Sequence, residues 1–527
     1  MAHRAPPKNT HAFFSGYFEQ WTKDIYFPAA FFLLATASLL PLWRGRFLPL
    51  LDEPNHLSAI YIWHFFNDPA SRLQEFYELR IQLVPYTAYY FLVHATAFIT
   101  GLESANKVVL SAYVLALPTA ALLWTRRTKR SPWLSILAFP LSYSYSWSHG
   151  FHPFNIGIAL FLFALIALDA YLERSSPWRA LAVALAALAC DLAHPIALLA
   201  LYISIPPLLL TWRPGLKRLL ASLALITPSA ALFAWQVSHR QSNMISLKQD
   251  AGGLFTGQYL SPLEMLRMLP TYTLDTVSGS GDLIVFDIMA ISAGLLLIGG
   301  KIWPMARPLG HQSFWHSHRG AFLALAMLMG YFILPLHLQK PFDWWFVSGR
   351  FAPLICFFIC LLPRIDLRGS RRWLMAPALC AAFYLPVHIS GKYAEFNQRA
   401  APFVSFIEAT AAGKNILYLG MKPPSDPAVN IHAYNQFGAW VQILRGGYSG
   451  SGWFESGFPF EAVRRLPGPP WYDHGQFRPS LHAGAYDYVI VRNEKKVIFG
   501  PSDREWKLSG RAGQWTMYER VQAETAP

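Results

Sequence analysis

The sequence predicts an α-helical polytopic membrane protein that ends in a small α/β or α+β domain outside the bilayer, and three observations carry that expectation. Apolar residues make up 54% of the 527 positions and charged residues only 14%, whereas ordinary soluble domains carry about a quarter charged residues. The apolar residues gather into long blocks, such as Phe154 to Leu172 and Ala321 to Leu336, and about twenty apolar residues match the thickness of a bilayer core. After Gly391 the composition changes and no later block is long enough to span.

The candidate spans are 26–43, 106–124, 132–147, 154–172, 178–192, 195–212, 216–236, 282–300, 320–338, 348–363 and 372–390, about 11 transmembrane helices. This divides the chain into a transmembrane domain, 1–390, and a soluble domain, 391–527. The first 25 residues are polar and carry no cleavable-signal pattern, so the first apolar block is read as an uncleaved anchor.

A formal net charge of +14 would suggest nucleic acid in a soluble protein. Here the basic residues sit in short loops between apolar blocks: Arg126, Arg127, Lys129 and Arg130; Arg213, Lys217 and Arg218; Arg364, Arg368, Arg371 and Arg372. That is the positive-inside pattern, which places these loops and the N-terminus in the cytoplasm. No aromatic-rich basic face accompanies the clusters, so no nucleic-acid partner is expected. Cys190, Cys356, Cys360 and Cys380 all fall inside apolar blocks and read as small buried residues.

The block 81–100 would be another span by hydropathy alone. Counting it places the Arg126–Arg130 cluster outside, against the charge rule. Its Gln82, Pro85, His94 and the group Tyr86, Tyr89 and Tyr90 suit an outer-leaflet interfacial helix instead. The stretch from Pro177 to Leu216 reads as a hairpin, with Asp191–Leu192–Ala193–His194–Pro195 as its outer turn. The outer face then holds 44–105, 148–153, 191–195, 237–281, 339–349 and everything after about 391. Cytoplasmic loops are short and basic, so any activity belongs outside.

The first outer loop opens with Leu51–Asp52–Glu53–Pro54–Asn55–His56. Two adjacent carboxylates at a membrane surface are costly unless solvated, paired or used. One reading is a helix cap, since Pro54 suits a first helical turn and Asp52 or Glu53 could cap it. The other is an acid pair that does chemistry. Residues 56–66 read as an amphipathic helix through Leu57, Ile60, Tyr61 and His64.

In the loop 237–281, Ser261 to Leu269 reads as an amphipathic interfacial helix, and Gly252, Gly253, Gly279 and Gly281 read as turns with no phosphate-cradling fingerprint. Asn415–Gly420, Tyr486–Arg492 and Gln514–Glu519 read as strands of the C-terminal domain. Its His432, Glu455, Asp473 and His474 are scattered, and Trp440, Trp453 and Trp471 read as core or membrane-rim residues.

A first span, then Asp-Glu at the outer surface, then amphipathic and apolar outer helices before span two, resembles the GT-C superfamily of glycosyltransferases, which includes protein O-mannosyltransferases and lipid A aminoarabinose transferases. The non-spanning outer helix, the hairpin with His194 at its turn and the periplasmic C-terminal domain resemble that family's architecture across nearly the whole chain. The resemblance implies an inverting enzyme of the bacterial inner membrane. It would move a sugar from a polyprenyl-phosphate donor to a lipid, glycan or protein acceptor at the periplasmic side, with membrane lipids around it.

The chemistry requires a base for the acceptor proton, and cations or hydrogen-bond donors for the leaving phosphate. By the resemblance Asp52 is the expected base, with Glu53 second. Arg350, in Trp344–Trp345–Phe346–Val347–Ser348–Gly349–Arg350, is the leading phosphate candidate; its alternative role is a headgroup anchor. His56, Lys107, His149, His152 and His194 are further donor-binding candidates, although Lys107 also reads as an ordinary snorkelling lysine. His149 and His152 with Asp191 and His194 could bind a divalent cation, but no metal signature indicates one, and no cofactor is expected. The alternatives are a transporter or lipid flippase, disfavoured by the scarcity of charge inside the spans, and a noncatalytic membrane scaffold.

Overall fold

The long apolar blocks fold as helices because a bilayer offers backbone groups no other partners. The computed structural model describes residues 25–244 (side chains to 239), 256–304, 314–340, 344–422, 425–450, 459–470, 472–500 and 503–521. In chain order its principal helices are α1 (Tyr26–Trp43), α2 (Glu53–His64), α3 (Thr87–Thr100), α4 (Leu102–Arg127), α5 (His152–Glu173), α6 (Pro177–Ala193) and α7 (Pro195–Trp212). They continue as α8 (Leu216–Met244), α9 (Pro262–Thr273), α10 (Gly281–Ile302), α11 (Arg319–Ile333), α12 (Ala352–Cys360), α13 (Ala376–Glu408) and α14 (Ala439–Arg445).

Seven helices among the described residues are long and apolar enough to cross a membrane: α1, α4, α5, α7, the first 24 residues of α8, α10, and the stretch Gly369–Glu408 that contains α13. The expected count of eleven is therefore not confirmed. Residues 132–147, expected as a span, form two 3-10 segments, Pro132–Ala138 and Pro140–Tyr143, and enter a short helical turn, Tyr145–Ser148. Pro140, which has no N–H to donate, begins the second of these segments. The helix α11 has 15 residues, about 23 Å at 1.5 Å per residue, short of a core about 30 Å thick. The 14-residue α3 is shorter still, in keeping with the interfacial reading of 81–100. Its chain turns at Gly101, φ +75°, directly into α4.

Large apolar side chains stay exposed on helix surfaces, among them Phe32 and Leu33 on α1, Phe98 and Ile99 on α3, and Ile291, Leu295 and Ile298 on α10. Such faces are stable against lipid and unfavourable in water. The helix α9 carries the capping box expected at an interfacial start: Glu264 N–H donates to Ser261 Oγ at 3.3 Å and Ser261 N–H to Glu264 Oε2 at 2.8 Å.

The basic loops come together on one face. Arg127 Nε lies 2.6 Å from a carboxylate oxygen of buried Asp169, and Arg319 Nε lies 3.1 Å from the other. Trp212 Nε1 donates to Asp169 at 2.8 Å. One aspartate thus ties the ends of α4, α5, α7 and α11, which are the ends that precede or follow the basic loops.

At the opposite face the first outer segment is stitched into the C-terminal region. Strand β1 (Tyr77–Leu79) pairs antiparallel with Phe460–Ala462, and Ser58 on α2 donates to Gln442 on α14 at 2.6 Å. All residues from Glu53 to Ile62 are buried. The amphipathic reading of 56–66 is corrected accordingly, because α2 is covered on its outer side by α14 as well as on its inner side.

The C-terminal sheet has four strands in the order Ile416–Gly420, Tyr488–Arg492, Trp515–Arg520, Trp506–Ala512; the first pair is parallel and the others antiparallel. The expected strands differ from these by one or two residues at their ends. The helix α13 runs unbroken across position 390, and its far half packs on the sheet: Phe403 lies 5.0 Å from the Trp515 ring, and Trp515 Nε1 donates to Arg399 O at 3.0 Å. Trp440 is core, edge-on to Phe47 at 4.7 Å. Trp453, Glu455, Trp471, Gly252 and Gly253 lie outside the described residues.

Candidate active site

Asp52 opens α2 without capping it. It occupies the N-cap position, yet its side chain bonds none of the first helical N–H groups. Its Oδ1 instead accepts from Gln436 Nε2 at 2.9 Å, and Gln436 Oε1 accepts from Asn55 Nδ2. A cap does not describe this carboxylate.

The backbone beneath it is latched to the loop that carries two of the candidate histidines. Leu51 N–H donates to Ser148 O at 3.2 Å and Asp52 N–H to His149 O at 3.0 Å. Gly150 closes the contact: its φ is +71°, and a Cβ there would lie 2.8 Å from Glu53 N and 3.0 Å from Asp52 N. Only glycine meets both conditions.

The two adjacent acids differ in environment. Asp52 keeps partial exposure, while burial pushes its carboxyl up to about 7 against the opposing effects of the Gln436 bond and the Arg350 charge. Glu53 is 2% exposed. Its Oε1 accepts from Asn106 Nδ2 at 2.8 Å, and Asn106 Oδ1 accepts from Tyr89 OH at 2.7 Å; Oε2 has no partner. Burial pushes Glu53 up to about 8, with Lys107 opposing and Glu103 adding. Burial thus raises both carboxyls, and of the two only Asp52 keeps appreciable exposure.

Arg350 sits in the 3-10 turn Ser348–Phe351 and is 7% exposed. Its Nε donates to Phe346 O at 3.0 Å and its Nη2 to Trp345 O at 3.2 Å, while Nη1 meets His194 Nε2 at 2.8 Å. The guanidinium lies over the Phe151 and Phe154 rings at 4.2 and 4.9 Å, and its charge acts on both Asp52 and His149. His194, at the hairpin turn, caps α7 by accepting from Ile196 N–H through Nδ1 at 3.1 Å, and Tyr86 stacks on it at 5.4 Å.

The remaining imidazoles are neutral or deeply enclosed. Burial pulls His149 down to about 4 and His56 down to about 3, and His56 Nδ1 pairs with Tyr90 OH at 2.8 Å. His152 is fully buried with neither ring nitrogen partnered, and Asn155, on the same face of α5, has neither side-chain polar atom partnered. The His152 ring lies 6.1 Å from His56 and 5.4 Å from Tyr89. Buried polar atoms left in this way are sites for water or for ligand hydroxyls.

Asp52, His149, His194 and Arg350 are thus brought together, with His56 and His152 lining the next layer and Glu53 behind. Lys107 is not part of this group: its Nζ donates to Gly45 O at 2.6 Å, lies 5.9 Å from the Trp43 ring centre, and acts on Glu53. Asp191 accepts from Gln236 at 3.1 Å, so it does not join His149 and His152. Among the described residues no three His, Cys, Asp or Glu side chains converge as a metal site. In the C-terminal region His474 accepts from Gly420 N–H at 2.9 Å and Asp473 pairs with Lys422 at 3.5 Å. Among the described members of the scattered group, His432 alone acts on the site, through its charge on His149. Gln436, Asn106 and Asn155 were not legible in the sequence as site residues; only Asn55, inside the Asp-Glu motif, lay where a search along the chain would look.

No protein-family model and no curated protein matches the sequence. Solved structures do match its fold. ArnT from Cupriavidus metallidurans bound to undecaprenyl phosphate superposes with a TM-score of 0.56 at 10% identity over 95% of this chain and 99% of that one. Its apo state gives 0.52 at 9% identity over 95% and 98%. The arabinofuranosyltransferase AftD from mycobacteria gives 0.44 at 12% identity over 94% of this chain, which spans only 40% of AftD. This chain therefore shares its overall fold with ArnT.

Proposed function

We propose that this protein is an inverting glycosyltransferase that takes a sugar from a polyprenyl phosphate at the outer face of a bacterial inner membrane. In that topology the basic face is cytoplasmic, the region after residue 390 is periplasmic, and the seven long helices make it multi-pass. The observation that carries the reading is the Asp52 carboxyl: it leaves the helix end uncapped, accepts from Gln436 and lies in the field of Arg350.

In the transfer, an acceptor hydroxyl oxygen attacks the anomeric carbon while its proton passes to Asp52. The bond between that carbon and the phosphate oxygen breaks, and its electron pair leaves with the phosphate. Charge grows on the departing oxygen, where a fixed guanidinium is most effective. Arg350 is held by two carbonyls and keeps N–H groups over for an anion. His194 Nε2 meets the same guanidinium at 2.8 Å, which helps to hold it in place. The fold match to ArnT bound to undecaprenyl phosphate supports a lipid of that class, and the unpartnered atoms of His152 and Asn155 suit sugar hydroxyls.

The test is incubation of the full chain in membranes with a panel of radiolabelled polyprenyl-phosphate sugars and membrane extract. Transfer by the native protein with loss in Asp52→Asn supports the reading. Transfer undiminished in that variant removes Asp52 as the base.

A further inference from the structure

The face opposite Asp52 holds a second cationic site that the proposed reaction does not use. Arg130 follows α4 in the loop Thr128–Ser131 and is only 8% exposed, with Nε and Nη1 buried and without partners. Its Nη2 points at Ser317 O at 3.4 Å, and Arg364 donates to the same carbonyl. Arg319 follows that carbonyl by two residues, but its charge is already committed to Asp169 at 3.1 Å. Two guanidinium groups of distant sequence origin therefore meet at one carbonyl, with a third near enough to act on Arg130 by charge. Burial, then the charges of Arg364 and Arg319, pulls Arg130 down to about 9.

An arrangement of this kind is unstable alone. A buried donor without an acceptor is strongly unfavourable, and like charges that face one another add to it. Among the described residues the acids of this face are engaged elsewhere: Asp169 and Glu173 are bound by Arg127, and Asp366 by Arg368 and Arg371. Among the described residues only like charges act on Arg130, and its two unpartnered nitrogens suit an anion with several acceptor oxygens. The site lies where α4 ends and α11 begins, at the level where membrane helices meet headgroups, and guanidinium groups bind phosphate oxygens in pairs.

We propose that Arg130, with Arg364 beside it, forms an anion site that binds a phosphate group, supplied by the headgroup of an anionic phospholipid in the leaflet opposite the Asp52 face. A bound phosphate would neutralise the cluster and lock the loop after α4 to the start of α11. The site is independent of Asp52 chemistry.

The experiment uses the delipidated full chain in detergent. Native mass spectrometry and thermal unfolding are read with added phosphatidylglycerol, phosphatidylcholine or inorganic phosphate. Phosphatidylglycerol should be retained and raise the melting temperature, and Arg130→Gln should weaken its binding by on the order of tenfold. Asp52→Asn should leave it unchanged, and Arg364→Gln should weaken it less than Arg130→Gln. Stabilisation by inorganic phosphate alone, lost in Arg130→Gln, would overturn the lipid source and retain the phosphate site. Equal binding of phosphatidylglycerol by the native protein and both arginine variants, or no preference over phosphatidylcholine, would overturn the proposal. If Arg130→Gln does not fold, the native lipid preference and Arg364→Gln still decide.

Discussion

Gln436 donates from Nε2 to Asp52 Oδ1 at 2.9 Å across 384 positions of sequence. The bond joins the start of the first outer segment to the C-terminal region, so the proposed base is set by a residue outside the membrane helices. It also fixes which carboxylate oxygen stays open, since Oδ1 is the one engaged. The same amide takes Asn55 on its oxygen, which orients it with the nitrogen toward Asp52.

If Asp52 is the base, Asp52→Asn keeps the shape and the neighbouring amide while removing the proton acceptor. Transfer should fall by about 10²–10⁴-fold, the range for a positioned general base, with membrane insertion and melting temperature near those of the native protein. Radiolabel transfer in reconstituted membranes measures the first and thermal unfolding the second.

The pH dependence has a definite sign. As the proposed base, Asp52 would work only as the carboxylate, and burial raises it to about 7, so kcat/KM should rise through neutrality and level off above it. Below the midpoint each pH unit should remove about tenfold. The charge of Arg350 lowers the Asp52 value. Removing it in Arg350→Gln should therefore shift the midpoint to higher pH, beside any loss of phosphate binding. A midpoint that stays put or moves down would separate Arg350 from Asp52.

Much of this site was legible along the chain because its parts are local motifs: the Asp-Glu pair after the first span, the histidine at a hairpin turn, and Arg350 beside Gly349. The basic loops likewise gave a common face, since charge repels from lipid whatever the tertiary packing. What was not legible depends on long-range packing. Gln436 and Asn106 have no local signature, and Asn55 alone could not indicate its partner. Residues 56–66 read as amphipathic through Leu57, Ile60, Tyr61 and His64, but the polar residues Asn55, His56 and Ser58 of α2 make no solvent face. They are instead bonded to Gln436, Tyr90 and Gln442. The segment 132–147 has enough apolar residues for a span, but hydropathy does not register that its prolines divide it into 3-10 turns.

Gly150 offers a test of positioning without touching any charged group. Gly150→Ala places a Cβ 2.8 Å from Glu53 N at a positive φ that alanine adopts at a penalty of about 1–2 kcal/mol. The contact is with backbone, so Asp52 and Glu53 must move. Transfer should fall by at least about tenfold, given how steeply rates depend on displacement of reacting groups, with a lowered melting temperature. An unchanged rate would mean that the latch between 148–150 and 51–53 does not position the base.

Glu53→Gln separates the two acids. Burial raises Glu53 from its ordinary 4.5 to about 8, so the folded protein holds its proton over a range where the unfolded chain has released it. Stability therefore falls as pH rises from about 4.5 to about 8, because folding must take up a proton that becomes scarcer. Glutamine mimics the protonated acid, can still accept from Asn106 through its carbonyl, and does not titrate. The variant should match the native melting temperature near pH 5 and exceed it increasingly toward pH 8 and above. If the proton-accepting carboxylate is Asp52, as proposed, transfer by Glu53→Gln should stay within about threefold of native, against the 10²–10⁴-fold loss expected for Asp52→Asn. A loss in Glu53→Gln as deep as in Asp52→Asn, at unchanged stability, would reassign the base to Glu53.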